Sequence, residues 1–205
     1  MEINKYRIVF IIVMFACLSS IALAGPTYIF DDDFDSENGG NYQLNYTGFD
    51  NWVVSDGSVD LIGEGSPYDY QPGHGLYVDM DGSSNDAGLM TSSIALDPGQ
   101  YLLSFELAGN HRNNDNESVA VLVELGSLVS QTYSLNQNDP FTLYENYFTV
   151  DSVTTVSLSF EGAGSDNVGM LLDNVKIQAV PVPGAFLLGG IGVGIAGWLK
   201  SRRSL

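Results

Sequence analysis

The chain has 205 residues, 25 acidic against 7 basic, and a net charge of −18 at pH 7. A surface this negative repels nucleic acid and anionic lipid headgroups, which excludes a nucleic-acid partner. The only cysteine, Cys17, lies in the N-terminal segment, so the domain that follows has no disulfide and depends on core packing or a metal for rigidity.

Residues 1–24 predict a signal peptide. Lys5 and Arg7 form a positive start, an uncharged apolar run follows, and Ala22 and Ala24 supply the small residues at positions −3 and −1 of a signal peptidase site. The alternative is an uncleaved anchor, because the apolar run is nearly long enough to span a bilayer.

Residues 25–179 predict one all-β domain. Helical periodicity is absent, and short alternating runs are separated by Gly, Asn, Asp and Pro clusters, a pattern typical of an antiparallel β-sandwich or jelly roll. Between Tyr101 and Leu107, Ser104 and Glu106 alternate with apolar residues, so they are predicted to point outward. The predicted strands are 52–54, 59–62, 76–80, 89–96, 101–107, 119–125, 128–135, 141–150, 153–160 and 170–177.

Residues 180–205 predict a membrane tail. About twenty residues without charge would rise about 30 Å as a helix, which matches the hydrocarbon thickness of a bilayer, and we assign the transmembrane helix to 184–199. The basic end at Arg202 and Arg203 would lie on the cytoplasmic side. The signal peptide places the domain on the opposite side, so both ends of the chain predict the same topology.

This tail resembles the PEP-CTERM sorting tails of Gram-negative bacteria. The likeness rests on a short proline motif, an apolar helix and a basic end, and Val182 stands where the name-giving Pro-Glu-Pro has glutamate. It implies recognition by an exosortase-type sorting enzyme and export across the inner membrane. The exported protein would be membrane-anchored, or at the cell surface or in the extracellular matrix after processing, often with exopolysaccharide. The sorting motif is then Pro181, Pro183, Gly184, Arg202 and Arg203.

The domain itself resembles the galactose-binding-like jelly rolls, the fold of many carbohydrate-binding modules. The likeness rests on the order and spacing of short sequence motifs over most of residues 31–177. These motifs are 31–35, Trp52 with 59–61, 77–80 with Gly82, 98–101 with 104–105, and 172–175.

The same resemblance implies a structural calcium ion between the N-terminal phrase and the closing strand. Matched by position, Asp35 and Asp173 would supply carboxylates, and the region of Asp32 a backbone carbonyl; such oxygen atoms are the ligands that Ca²⁺ takes. The alternative is that the aspartates at 31–33 form a solvated edge and Asp173 caps a turn. A second acidic cluster at 79–86 lacks EF-hand spacing and favours a hairpin turn.

Sugar binding would need exposed aromatic side chains beside polar groups. Two polar loops that could share one rim of a jelly roll carry the candidates, which are Tyr68, Tyr70, His74, His111 and Arg112. Ordinary loop packing is the alternative for the tyrosines, and pairing with Asp115 or Glu117 is the alternative for Arg112. Trp52 is predicted to lie in the core.

We therefore predict a non-enzymatic exported protein whose jelly roll binds extracellular polysaccharide. No serine-hydrolase, zinc-protease or cysteine-nucleophile motif occurs in residues 25–180. One alternative is a purely structural envelope protein that contacts proteins or cations. A more remote alternative is a polysaccharide-active enzyme, since a glycosidase needs only two carboxylates.

Overall fold

The computed structural model describes residues 27–84, 86–112, 119–164 and 167–181. The predicted signal peptide and the tail helix 184–199 lie outside these ranges. Tyr28–Val180 forms one compact unit. Within the described ranges, no helix is long and apolar enough to cross a membrane.

All ten predicted strands are present, with ends within three residues of the prediction. An additional strand precedes them, and a single-turn 3-10 helix spans Glu37–Gly39. The strands are β1 (Thr27–Asp32), β2 (Val53–Ser55), β3 (Asp60–Gly63), β4 (Leu76–Asp79), β5 (Leu89–Leu96), β6 (Gly99–Ala108), β7 (Val119–Leu125), β8 (Val129–Leu135), β9 (Thr142–Val150), β10 (Thr154–Ala163) and β11 (Leu171–Ala179).

Two antiparallel sheets form the domain. Sheet A has the order β3-β4-β11-β6-β9, with β1 also beside β11, and sheet B has the order β2-β5-β10-β7-β8. From β4 onward the chain changes sheet at every connection except β7–β8, which is typical of a jelly roll. The predicted fold class is confirmed. The acidic segment at 79–86 does not form the predicted hairpin, because it connects β4 of sheet A to β5 of sheet B.

The core lies between the sheets and follows the two-residue period of the strands. In β6, Leu103, Phe105 and Leu107 are fully buried against sheet B. Ser104 and Glu106 between them are partly exposed on the opposite face, as predicted. Sheet A therefore has an inner face toward the core. The opposite face, which carries Ser104 and Glu106, is called the outer face of sheet A.

Trp52 lies in the core, as predicted, with 3% of its surface exposed. Its ring contacts Phe30 at 5.3 Å and Phe160 at 5.7 Å between centroids, both edge to face. Its indole Nε1 donates a hydrogen bond to Asp32 Oδ2 at 2.9 Å. This bond satisfies a buried donor and links β1 to the segment before β2.

Candidate functional site

A pocket of about 370 Å³ opens on the outer face of sheet A and is lined almost wholly by polar atoms. We call it the acidic pocket. Its walls come from the segment after β1, the loop between β3 and β4, and strand β11. The lining residues are Asp33, Asp35, Glu64, Gly73, His74, Gly75, Asp173 and Asn174.

Asp173 on β11 is buried at the floor of the pocket, with 1% of its surface exposed. A bulge between Asp173 and Lys176, with Asn174 at φ 51°, lets both flanking side chains face outward. One oxygen of Asp173, Oδ1, accepts a hydrogen bond from the Asn174 backbone N–H at 2.7 Å. The other, Oδ2, has no hydrogen-bond partner among the described residues.

Burial raises the pKa of Asp173 to about 8, and the charge of Glu106 adds to the increase. The hydrogen bond from the Asn174 backbone N–H acts in the opposite direction. An isolated, ionised Asp173 is therefore unfavourable, and either a proton or a cation would relieve it.

His74 and Glu106 lie beside Asp173. One donor atom from each of the three residues lies within 4.8 Å of the other two. The imidazole Nδ1 of His74 is 3.8 Å from Asp173 Oδ2. The Phe141 ring lies 4.6 Å from the imidazole, centroid to centroid, and supports its position. We call these three residues the His-Glu-Asp cluster.

Two of the three residues predicted to hold calcium, Asp35 and Asp173, line the acidic pocket. Asp35 lines the acidic pocket with Asp173, and its Oδ1 accepts a hydrogen bond from the Leu76 backbone N–H at 2.8 Å. The side-chain oxygens of Asp32 accept hydrogen bonds from Trp52, Asn51 and the Phe34 backbone. The prediction for this region concerned a backbone carbonyl, and it stays a prediction.

The two loops predicted to share a rim do meet. The Arg112 guanidinium stacks on the Tyr70 ring at 5.1 Å, and His111 Nε2 lies within hydrogen-bond distance of the Gln71 side chain. Tyr68 and Tyr70 are half-buried and pack on a small apolar cluster that includes Tyr77. The Tyr77 hydroxyl accepts hydrogen bonds from the backbone N–H groups of residues 70 and 71 at 2.6 and 3.0 Å, which holds the β3–β4 loop on the sheet.

Arg112 is already paired with a carboxylate. It forms an ion pair with Asp79, which is fully buried, and also donates to the Asn167 carbonyl. The sequence suggested the neighbouring acids 115 and 117 as partners, and both lie outside the described ranges. The partner that the structure shows, Asp79, comes from β4, far along the chain. Arg112 therefore holds two loops against sheet A, and its charge is balanced within the protein.

The most exposed aromatic side chain on the outer face of sheet A was not among the predicted site residues. Tyr147 on β9 is 71% exposed and pairs across the ladder with Leu102 of β6. Leu102 in turn pairs with Gln178 of β11. The adjacent row along these strands contains Glu145, Ser104 and Lys176. We call these two rows the tyrosine strip.

The tyrosine strip could have been found from strand alternation, because Phe148 and Val150 point into the core and residue 147 must then point outward. The composition of residues 141–150 did not otherwise indicate a binding site.

Glu106 was predicted to point outward, but its proximity to His74 and Asp173 depends on strand pairing.

No protein-family model matches this chain, and no curated protein sequence matches it. Among solved structures, it is similar to the CBM22-1–GH10 modules of a Clostridium thermocellum xylanase, solved with xylohexaose. The identity is 14% and the TM-score 0.45, and the match covers 75% of this chain but 28% of the xylanase chain.

The CBM22-1 xylan-binding domain of Paenibacillus barcinonensis Xyn10C matches at 14% identity with a TM-score of 0.45, covering 77% of this chain and 97% of that domain. TmCBM61, solved with β-1,4-galactotriose, matches at 14% identity with a TM-score of 0.44, covering 63% of this chain and 88% of that one. Since all three TM-scores are below 0.5, the function of this chain has to be derived from its own side chains.

Proposed function

We propose that this chain is an exported, non-enzymatic protein that binds extracellular polysaccharide on the outer face of sheet A. The observation that carries the proposal is the tyrosine strip. A 71%-exposed tyrosine ring beside a row of polar side chains is the combination that a sugar surface needs.

The tyrosine strip supplies both parts of sugar recognition. The Tyr147 ring offers a face on which a pyranose can stack, and buried Leu102 pairs with it across the ladder. Gln178, Ser104 and Lys176 provide donors and acceptors for sugar hydroxyls. Because these groups project from paired strands, their backbone positions are fixed before a ligand binds, which lowers the entropic cost of binding.

The acidic charge of the chain also suits this role. A negatively charged surface favours neutral glycans over anionic ones. Lys176 is the basic group of the tyrosine strip, and it is 3.3 Å from Asp31 and lies near the Tyr28 ring. Its charge is therefore partly balanced inside the protein, and we expect a neutral polysaccharide as the ligand.

The alternative that this protein is a glycosidase can be tested against its carboxylates. A retaining glycosidase needs two carboxyl groups separated by about 5 Å. Glu106 and Asp173 have oxygens within 4.8 Å of each other, but Asp173 is 1% exposed at the floor of a pocket whose described lining residues include no Phe, Tyr or Trp on which a sugar ring could stack. This favours a binding protein over the enzyme alternative. We expect no new reducing ends when the protein is incubated with a polysaccharide that it binds.

The experiment is a glycan array probed with the full chain in detergent, in parallel with Tyr147→Ala and Val153→Ala. Val153 is equally exposed, at 73%, but lies in the β9–β10 turn away from the tyrosine strip. We expect retention of neutral glycans by the wild type and the Val153 variant and at least a tenfold loss for Tyr147→Ala. Absence of any retained glycan would instead favour the purely structural envelope protein.

Export and sorting are the second part of the proposal, and the sequence of the two ends supports them. Signal peptidase would cut after Ala24, and an exosortase-type enzyme would read the tail through Pro181, Pro183 and the basic end. Mass spectrometry of the exported protein tests both steps. A mature chain that begins at Gly25 and ends before Leu205 is expected, and an intact 205-residue chain would contradict processing at both ends.

A divalent cation in the acidic pocket is the third part. The buried Oδ2 of Asp173 and the carboxylate of Asp35 on the pocket wall support it. Ca²⁺ is the ion that the galactose-binding-like resemblance implies, and it would take Asp35, Asp173 and backbone oxygens. Addition of Ca²⁺ to chelator-treated protein should raise the melting temperature, and an unchanged melt would remove calcium from the proposal.

A further inference from the structure

The His-Glu-Asp cluster provides a donor set of mixed chemistry, with His74 and Asp173 in the lining of the acidic pocket and Glu106 beside them. Its three donor atoms lie within 4.8 Å of one another. Bonds of about 2.0–2.2 Å to a central ion require donors about 3.5 Å apart, so each side chain must move inward by less than about 1 Å. His74 and Glu106 are partly exposed and can make this adjustment by rotation about their side-chain bonds.

Asp173 gives an independent indication of a bound cation. Its side chain is 1% exposed, and Oδ2 faces the His74 imidazole at 3.8 Å without a hydrogen-bond partner among the described residues. A buried carboxylate oxygen with no hydrogen-bond partner is costly, and its presence in a native protein calls for an explanation such as a bound ion. A cation beside Oδ2 would satisfy it.

The carboxylates of the cluster are also oriented by a second layer of hydrogen bonds. The Asn174 side chain donates from Nδ2 to Glu106 Oε2 at 2.9 Å, and the Asn174 backbone N–H donates to Asp173 Oδ1 at 2.7 Å. One asparagine, held in a left-handed conformation by the bulge, therefore fixes two of the three donors. Such outer hydrogen bonds are a regular feature of metal sites.

From these observations we infer that the His-Glu-Asp cluster binds a zinc-class divalent cation in preference to calcium. An imidazole nitrogen with two carboxylate oxygens suits Zn²⁺ and its neighbours, whereas Ca²⁺ takes six to eight oxygen ligands. The pocket is open above the cluster, so a fourth position remains for water or for a ligand group. This inference rests on the cation proposal above and names the ion class; it does not depend on sugar binding.

The experiment is calorimetric titration of the full chain in detergent, stripped with EDTA and dialysed, with Zn²⁺ and with Ca²⁺. We expect one Zn²⁺ per chain and at least a hundredfold weaker binding of Ca²⁺. Co²⁺ titration gives a spectroscopic readout, because tetrahedral coordination produces intense visible absorption. Binding of Ca²⁺ as tightly as Zn²⁺, or no Zn²⁺ binding, would overturn the inference.

Two variants separate this site from the other histidine of the chain. His74→Ala should weaken Zn²⁺ binding at least tenfold, whereas His111→Ala removes the other histidine of the chain and should leave it unchanged. Equal Zn²⁺ affinity in wild type and His74→Ala would also overturn the inference. Glycan retention is measured on the same EDTA-treated samples. If glycans are retained but Zn²⁺ does not bind, the zinc inference is refuted and polysaccharide binding stands. If Zn²⁺ binds but no glycan is retained, polysaccharide binding is refuted and the zinc inference stands.

Discussion

Replacement of Asp173 by asparagine should change how the stability of the metal-free protein depends on pH. Burial raises the pKa of this carboxyl from 3.8 to about 8. When the pKa of a group is higher in the folded than in the unfolded state, its protonated form stabilises the folded state. This stabilisation is complete below the unfolded-state pKa and is lost as the pH rises through the folded-state pKa. The wild-type chain should therefore lose stability between about pH 4 and pH 8.

The size of this loss follows from the shift. About four pKa units at about 1.36 kcal/mol each give an upper limit of about 5–6 kcal/mol. Because buried carboxyls relax and admit water on ionisation, we expect about 2–4 kcal/mol between pH 5 and pH 8.5. An asparagine side chain cannot ionise, so Asp173→Asn should lack this part of the pH dependence and be the more stable protein at pH 8.5.

The assay is urea unfolding of the EDTA-treated chain at pH 5, 6.5, 8 and 8.5, with unfolding free energies from linear extrapolation. Asp151→Asn is the control, because Asp151 is exposed in the β9–β10 turn and should keep the wild-type profile. If wild type and Asp173→Asn differ by the same free energy at pH 5 and pH 8.5, the reasoning about the buried carboxyl is wrong.

Three further substitutions test contacts around the site, each by denaturant unfolding. Trp52→Phe removes the donor to Asp32 and should cost about 1–3 kcal/mol; no loss would mean that this buried bond contributes nothing. Arg112→Met leaves Asp79 buried without its ion pair and should lower the unfolding free energy by about 3–5 kcal/mol. If the unpaired charge is the cause, adding Asp79→Asn to this variant should restore much of the loss. Gly75→Ala, at φ 67°, directs a methyl group into the Asp35 carboxylate. It should cost at least about 1 kcal/mol more than Gly65→Ala, where φ is also positive but no atom is near; equal costs would exclude the clash.

Strand positions could be predicted because the two-residue period is strong wherever one face is buried. Residues 89–96 and 119–125 were located to the residue as β5 and β7. Strand β1 was missed because Ile29 and Phe30 precede three aspartates, which resemble a solvated edge. Strand β1 is held in place by its pairing with β11, a partner far away along the chain. The local sequence of β1 does not indicate this pairing.

The site could be predicted only in part, because its residues meet through strand pairing. The galactose-binding-like resemblance suggested Asp35 and Asp173, and the structure places both on one pocket. It did not suggest Glu106, which reaches Asp173 through the β6–β11 register. His74 was predicted to bind sugar because of its loop, and that stays a prediction. Its position beside Asp173 was not indicated by the sequence.

The ion pair between Arg112 and Asp79 was not predicted from the sequence. The sequence offered Asp115 and Glu117 as partners, and both lie outside the described ranges. The partner that the structure shows, Asp79 on β4, is 33 residues away along the chain. Long-range ion pairs of this kind depend on the arrangement of the sheets. They cannot be read from charge spacing alone.

The most direct measurement is a nuclear magnetic resonance titration of the isotope-labelled full chain in detergent with an oligosaccharide retained on the array. We expect the largest amide shifts at Tyr147, Leu102 and Gln178, on three adjacent strands of sheet A. Shifts confined to sheet B or to the loop at 66–75, or no saturable shifts at all, would contradict binding at the tyrosine strip.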